Sequence, residues 1–264
     1  MIRDITLGQY FAADSFVHRL DARGKIVLVF AYMVAIFFAK TPIGCGALVL
    51  FLALGIALSK VPIKFFVRGL KPILFFLIFT VIINMLLSSG TPIFVWKFIK
   101  ITEEGLYFAG MSIFRMICLV FISALLTYTS SPVSLTAAIE SLLSPLKIVK
   151  FPSHEIAMMM TIALRMIPTI LEETDKIMKA QSARCADFES GNILRRVKAF
   201  IPLLVPLFIS AFRRADDLAV AMESRCYNGG DGRTSMNVPK LYPRDFAVFF
   251  VFTAMFTTIV LMKI

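Results

Sequence analysis

Two short triplets in the sequence each place an arginine between two small residues: Ala183-Arg184-Cys185 and Ser224-Arg225-Cys226. An arginine can hold a carboxylate through two parallel hydrogen bonds, which a lysine cannot do. Small neighbours let the backbone of another protein approach closely. The pattern therefore indicates two docking points for acidic groups of a partner. A structural alternative stays open, because the partial negative charge at a helix C-terminus also stabilises an arginine there.

Each triplet ends a longer segment, and the two segments resemble each other. Residues 175–185 and 216–226 are identical at four of eleven positions when the sequence is shifted by 41 residues. Asp175 and Asp216 begin the two segments, and the charge pattern indicates that each segment is the amphipathic end of a helix. We therefore expect two equivalent arms, with Asp175 and Asp216 in supporting roles.

Three helices are predicted to position these arms. The first opens at Ser131-Pro132 and stops near Pro145. The second begins at Pro152, with Ser153 as its N-cap, and runs to about Ala186.

The third helix follows Gly191 and ends before Asn228-Gly229-Gly230, a strong stop signal. Within the second helix, Pro168 predicts a kink. Arg165 lies one turn earlier, and we expect it to bind carbonyl groups that the kink frees.

The composition indicates a protein embedded in a lipid bilayer. The chain of 264 residues is 58% hydrophobic and only 17% charged, whereas roughly a quarter of the residues in a typical soluble domain are charged. Five apolar stretches are candidate membrane spans: Ile26–Ala39, Ile43–Leu58, Leu70–Leu87, Leu106–Tyr128 and Phe246–Met262. The first two are short and form either a hairpin of two tilted helices, which we favour, or one span with an interfacial piece.

The distribution of basic residues predicts the orientation. With five spans and a cytoplasmic N-terminus, 23 of the 28 lysines and arginines lie on the inner side. The predicted organisation is an N-terminal arm with four spans (1–128), a cytoplasmic coupling-helix region (129–244) and a last span (245–264). The net charge of +11 faces anionic inner-leaflet lipid. Basic and aromatic residues do not alternate in the way that would indicate a nucleic-acid partner.

Several kinds of chemistry are absent from the sequence. There is no phosphate-binding G-x-x-x-x-G-K-[ST] loop, no zinc-protease motif and no pair of cysteines with metal-ligand spacing. We therefore predict a non-catalytic all-α polytopic membrane protein without a cofactor or a metal. Arg115 lies inside a span, where it either contacts helix carbonyls in the protein interior or lines a substrate pathway.

The sequence resembles a known family of transporter subunits along nearly its whole length. The resemblance lies in these stretches: Leu20–Lys25, Leu142–Lys147, Ile162–Asp175, Lys179–Arg184, Ile201–Phe208, Ala211–Asp216 and Ala221–Tyr227. They are similar to the transmembrane (T) component of energy-coupling factor transporters, which are bacterial ABC-type importers of vitamins and transition-metal ions.

The resemblance implies a bacterial cell-membrane protein with two sets of partners. Arg184 and Arg225 would dock into two separate ATP-binding cassette ATPase subunits, and a substrate-binding S component would pack against the same chain. In that family the third residue of each triplet is often glycine, whereas here it is Cys185 or Cys226. Cysteine is small but lacks the backbone freedom of glycine.

Two other functions fit the sequence less well. A self-sufficient secondary transporter or channel would carry more ionisable groups near the middle of the membrane, and here only Arg115 lies within a span. A membrane-embedded enzyme would need a nucleophile with a base, and no such pair is visible. Changing Arg184 and Arg225 together to glutamate should abolish ATP-driven uptake or assembly.

Overall fold

The computed structural model describes residues 10–39, 41–87, 92–96, 99–149, 151–184, 186, 188, 193–229 and 242–261. The predicted all-α polytopic class is confirmed in these ranges, which hold the following α-helices: α1 (Ala22–Phe38), α2 (Pro42–Ser59), α3 (Ile63–Leu70), α4 (Leu74–Leu87), α5 (Glu103–Thr129), α6 (Pro132–Leu143), α7 (Ser153–Ala183), α8 (Ile193–Glu223) and α9 (Pro243–Leu261). Short 3₁₀ turns, Lys71–Ile73 and Ser144–Val149, follow α3 and α6.

Five stretches of helix in the described part are long and apolar enough to cross a membrane: Pro42–Ser59, Ile63–Met85, Glu103–Thr129, Ser153–Ala183 and Pro243–Leu261. This set differs from the sequence prediction at three places. The first predicted span is α1, which has only 17 residues and is not in the set. The third span reaches back to Ile63, because α3 continues into α4 where a basic loop was expected. Helix α7 qualifies through its apolar first half, so its place in the cytoplasm stays a prediction.

Three of the helix starts follow ordinary capping chemistry. Side-chain oxygens of Asp21, Thr41 and Thr102 accept a backbone N–H in the first turns of α1, α2 and α5. At α7 the predicted N-cap, Ser153, is wrong. Pro152 holds the cap position, and Ser153 is the first helical residue, with its hydroxyl buried and unpaired.

The chain divides into two compact units, residues 139–237 with the first seven residues, and residues 8–138 with 238–264. In the second unit α5 is central and packs against α1, α2, α3 and α4. Its core is apolar and aromatic, with Tyr32, Ile36, Leu48 and Ile122 almost completely buried. Helices α1 and α2 lie where the hairpin at residues 26–58 was predicted, and a hydrogen bond of 3.1 Å from the Tyr32 hydroxyl to the Leu48 carbonyl joins them. Their tilt in a membrane stays a prediction.

A polar cluster fastens the start of α1 to the start of α9 within this unit. The carboxylate of Asp245 is 3% exposed. It accepts the backbone N–H of Asp21 at 3.0 Å and that of Tyr242 at 2.8 Å. Lys25, also buried, donates from Nζ to the Thr129 carbonyl at 2.9 Å. These bonds satisfy groups that would otherwise be buried without partners.

A short β-hairpin between α4 and α5 was not predicted from the sequence. Strand β1 (Pro92–Trp96) pairs antiparallel with β2 (Ile99–Thr102), and α5 begins directly after β2. It is the only sheet in the described ranges and leaves the all-α class unchanged.

Candidate functional site

Helices α7 and α8 each have 31 residues and run antiparallel to each other. Near the end of α7, Gln181 donates from Nε2 to the Pro202 carbonyl early in α8 at 3.3 Å. Earlier in α7, Glu173 meets residues further along α8. Residues later in one helix thus contact residues earlier in the other, which defines the antiparallel arrangement.

The strongest link between the two helices is made by the Glu173 carboxylate. One oxygen accepts a short hydrogen bond from the Ser210 hydroxyl, and the other accepts from Arg214 at 2.8 Å. Glu173 and Arg214 are 41 residues apart, the same offset that relates the two arms. Sequence reasoning missed this link. The shared offset was the available signal, but it does not reveal that the equivalent positions face each other.

The end of α8 forms a helix-terminating Schellman motif. Cys226 adopts the left-handed conformation, with φ of 57°. Its N–H donates to the Glu223 carbonyl at 2.9 Å, and the Tyr227 N–H donates to the Met222 carbonyl at 3.1 Å. Glycine is the usual residue at this left-handed position. Cys226 stands where the family often has glycine, and it adopts the glycine-like geometry.

The end of α7 repeats the same hydrogen-bond pattern. The N–H groups of Arg184 and Ala186 both donate to the Gln181 carbonyl at 3.0 Å. At the end of α8, Arg225 and Tyr227 both donate to the Met222 carbonyl, at 3.1 Å each. Each of these residues lies 41 positions after its counterpart, so the sequence repeat is also a repeat of local structure. Cys185 itself lies outside the described residues.

Both arginines are exposed, as are their small neighbours Ala183, Ser224 and Cys226. Their backbone N–H groups are fixed by the helix ends, and their guanidinium groups form no hydrogen bond with another described residue. Since α7 and α8 are antiparallel, the two triplets lie at opposite ends of the pair. The triplet with Arg184 is the first tip, and the triplet with Arg225 is the second tip. Arg225 is 23 residues beyond Pro202, the contact of Gln181, and Arg184 is three residues beyond Gln181 in the opposite direction, so the two arginines lie about 40 Å apart along the helices.

An open pocket with a volume of about 590 Å³ lies beside the second tip. It is lined on one side by Met158, Ile162 and Arg165 of α7, and on the other by the last turns of α8 and the residues just after it, which include Arg225. Two arginines at one pocket favour an anionic group. Arg165 was expected to bind carbonyl groups freed at Pro168. Within the described residues it donates no such bond, and α7 continues through Pro168 as one helix.

The two aspartates at the start of the arms were expected to support the triplets, but the described part of the chain shows no interaction through which they would do so. Asp175 is half-buried, Asp216 is exposed, and neither forms a hydrogen bond or an ion pair with a described residue. In the same ranges there is no group of three or more histidine, cysteine, aspartate or glutamate side chains that could hold a metal ion.

Comparisons with known proteins match the chain over most of its length. Residues 13–236 match the model of the CbiQ family, described as cobalt transport protein. A protein of Ruminiclostridium cellulolyticum is 52% identical over 263 residues, covering 100% of this chain and 98% of that protein. One of Acidaminococcus fermentans is 52% identical over 237 residues, covering 90% and 88%. Both relatives are named energy-coupling factor transporter transmembrane protein EcfT.

Proposed function

The chain belongs to the CbiQ family of cobalt transport proteins and is a transmembrane component of an energy-coupling factor transporter, and from this premise we propose that it is the scaffold that couples two ATPase subunits to a substrate-binding membrane subunit. Arg184 and Arg225 are the two docking residues that bind the ATPases. The chain itself is non-catalytic, and ATP is hydrolysed in the partner subunits.

One observation carries this proposal. Two exposed arginines end two antiparallel helices with the same hydrogen-bond pattern, about 40 Å apart. A dimer of similar ATPases presents two related grooves, so a single chain must offer two similar groups at a fixed distance to occupy both. Each small-Arg-small triplet fits a groove, because its guanidinium can pair with a carboxylate while its neighbours permit close approach.

The contacts between α7 and α8 support a mechanical role. Glu173, Ser210 and Arg214 tie the helices together between the two tips. If the ATPases close on ATP and move the tips, a tied pair of helices transmits this movement instead of separating. The substrate-binding subunit then receives the movement through the membrane helices and changes its access to the two sides of the membrane.

The orientation follows from charge. The positive-inside distribution supports a location of the N-terminus and residues 129–244 in the cytoplasm of a bacterial cell, on the side of the ATPases. The other helices form the multi-pass membrane part. Selection of a vitamin or a transition-metal ion belongs to the substrate-binding subunit in this arrangement.

The test is retention of the two ATPase subunits by a tagged chain, with all subunits co-expressed. Reversing the charge of a docking arginine costs about 3 kcal/mol at a buried interface, or roughly 100-fold in affinity. Arg184→Glu and Arg225→Glu should each weaken one attachment, and the double variant should lose both ATPases. Arg213→Glu is the matched control, because Arg213 is exposed on α8 but lies away from the triplet. Full retention by the double variant refutes the proposal.

A second experiment separates this function from that of a self-sufficient transporter. The purified chain, placed alone in vesicles, should move no substrate, while the complete complex with ATP should accumulate it. Uptake by the lone chain would favour a secondary transporter or channel.

A further inference from the structure

Arg115 is a cation in the middle of a membrane-spanning helix. It lies 12 residues after the start of α5 at Glu103 and 14 residues before its end at Thr129. At 1.5 Å per residue these distances are about 18 and 21 Å. Side chains near helix ends can extend to the membrane surface, but a residue at this depth is too far from both ends to do so.

The surroundings of Arg115 within the chain do not neutralise its charge. Its guanidinium lies over the ring of Phe37 in α1, 5.8 Å from the ring centroid. Its Nε atom is buried and has no hydrogen-bond partner. Among the described residues no carboxylate forms an ion pair with it. The neighbouring helix therefore offers an aromatic face but no hydrogen-bond acceptor.

In the compact unit that contains Arg115, the membrane helices do not supply the missing acid. There is no aspartate or glutamate from Ala22 to Thr102, from Gly105 to Ile139, or after Asp245. The acids at the helix starts, Glu103, Glu104 and Asp245, belong to the ends of the spans. Asp245 is moreover occupied by two backbone N–H groups.

We propose that Arg115 is a docking point for a carboxylate carried by a membrane-spanning helix of another subunit. This rests on the proposed function, which supplies that subunit as the substrate-binding membrane component. Lipid tails cannot accept a hydrogen bond, and lipid phosphates lie at the membrane surface, so lipid does not satisfy a guanidinium at this depth. A carboxylate from a protein helix provides both the opposite charge and the acceptors for a bidentate bond.

The surface beside Arg115 has the shape that a helix requires. Val27, Phe30, Val34 and Phe37 of α1 follow each other at intervals of three and four residues, and all are exposed. Phe37, which contacts Arg115, is 58% exposed. Spacings of three and four residues form one continuous stripe along a helix, the pattern that packs against a second helix. The partner helix therefore lies along this stripe with its acid at the level of Arg115.

The first test compares three variants in the complete complex, purified through a tag on this chain. Arg115→Met should reduce the retained substrate-binding subunit at least tenfold, and Arg115→Lys should keep at least a third of it. Both should retain the ATPases at the wild-type level. Asn84→Leu is the control, because the Asn84 amide is satisfied within its own helix by the Thr80 carbonyl at 2.9 Å. It should retain all subunits.

The thermal stability of the isolated chain separates docking from folding. Arg115→Met removes a charge without a partner, so the chain alone should melt at the same temperature as the wild type or higher. Wild-type retention of the membrane subunit by Arg115→Met overturns the inference. So does a lower melting temperature accompanied by loss of every subunit, which identifies Arg115 as a structural residue. The proposed function is tested separately, by the loss of ATPases from the Arg184→Glu and Arg225→Glu variants.

The second test uses the wild-type arginine. A photo-reactive p-benzoylphenylalanine at position 37, in the complete complex, should form a crosslink to the substrate-binding subunit. The crosslinked peptide should come from a membrane span and hold an aspartate or a glutamate within one helical turn. Crosslinks to lipid only, or to a span without an acid, overturn the inference.

Discussion

The Glu173 carboxylate should determine how firmly the two arms are held together. It joins α7 to α8 through the Ser210 hydroxyl and the Arg214 guanidinium. Replacing Glu173 with alanine removes both interactions and leaves the two donors on α8 without their acceptor. We expect the unit formed by α7 and α8 to become less stable and the two tips to move more independently.

The structure allows the size of the effect to be worked out. A hydrogen bond to a charged group contributes about 1.5–3 kcal/mol when it is shielded from water. The Glu173 side chain is 23% exposed, so the lower half of that range applies to the Ser210 bond. Arg214 is 42% exposed, and an ion pair this open to solvent contributes about 0.2–1 kcal/mol. Glu173→Ala should therefore cost about 2–3 kcal/mol.

A double-mutant cycle measures the interaction directly. The free energy of unfolding in detergent, followed by circular dichroism, is compared for Glu173→Ala, Ser210→Ala and the double variant. The coupling energy between Glu173 and Ser210 should be about 1–2 kcal/mol. Glu172→Ala, an exposed neighbour, should change stability by less than about 0.5 kcal/mol. A coupling energy near zero, or equal losses for Glu172 and Glu173, would refute the reasoning.

Two further stability effects follow from the described contacts. Cys226→Gly should stabilise the chain by about 1 kcal/mol, because glycine adopts the left-handed conformation without strain, whereas Cys226→Val should destabilise it. Melting temperatures in detergent check this, and a destabilising glycine would contradict it. Asp245→Ala should cost about 2–3 kcal/mol, because the buried N–H groups of Asp21 and Tyr242 lose their acceptor. Denaturant titration against Asp216→Ala, which removes no described bond, should show the difference, and equal losses would be inconsistent with the cluster.

Much of the structure of α7 and α8 could be predicted from the sequence, because its signals are local. Pro152 marks the start of α7, and Asn228-Gly229-Gly230 marks the stop after α8. The 41-residue repeat predicted two equivalent helix ends, and their hydrogen bonds agree in detail. Capping and turn signals act over a few residues, so a single sequence contains them. The functional roles of the two triplets stay predictions.

The remaining features depend on contacts between distant parts of the chain. Nothing local indicates that Glu173 faces Ser210, because that contact exists only once α7 and α8 lie antiparallel. Ser153 is of a residue type that is common at the N-cap, yet its hydroxyl is buried, and α7 begins one residue earlier than predicted. The left-handed conformation of Cys226 could not be predicted from the sequence either, since residue preference favours glycine at such a position.

The most direct test of the account is the accessibility of Cys226, which lies next to Arg225 at an exposed helix end. In a Cys185→Ala background, a membrane-impermeant maleimide should label Cys226 in inside-out vesicles and leave it unlabelled in right-side-out cells. Bound ATPase subunits should protect it at least tenfold, and removing them should restore labelling. Labelling from the cell exterior, or equal labelling with and without the ATPases, would contradict the claim that this tip is a cytoplasmic docking site for those subunits.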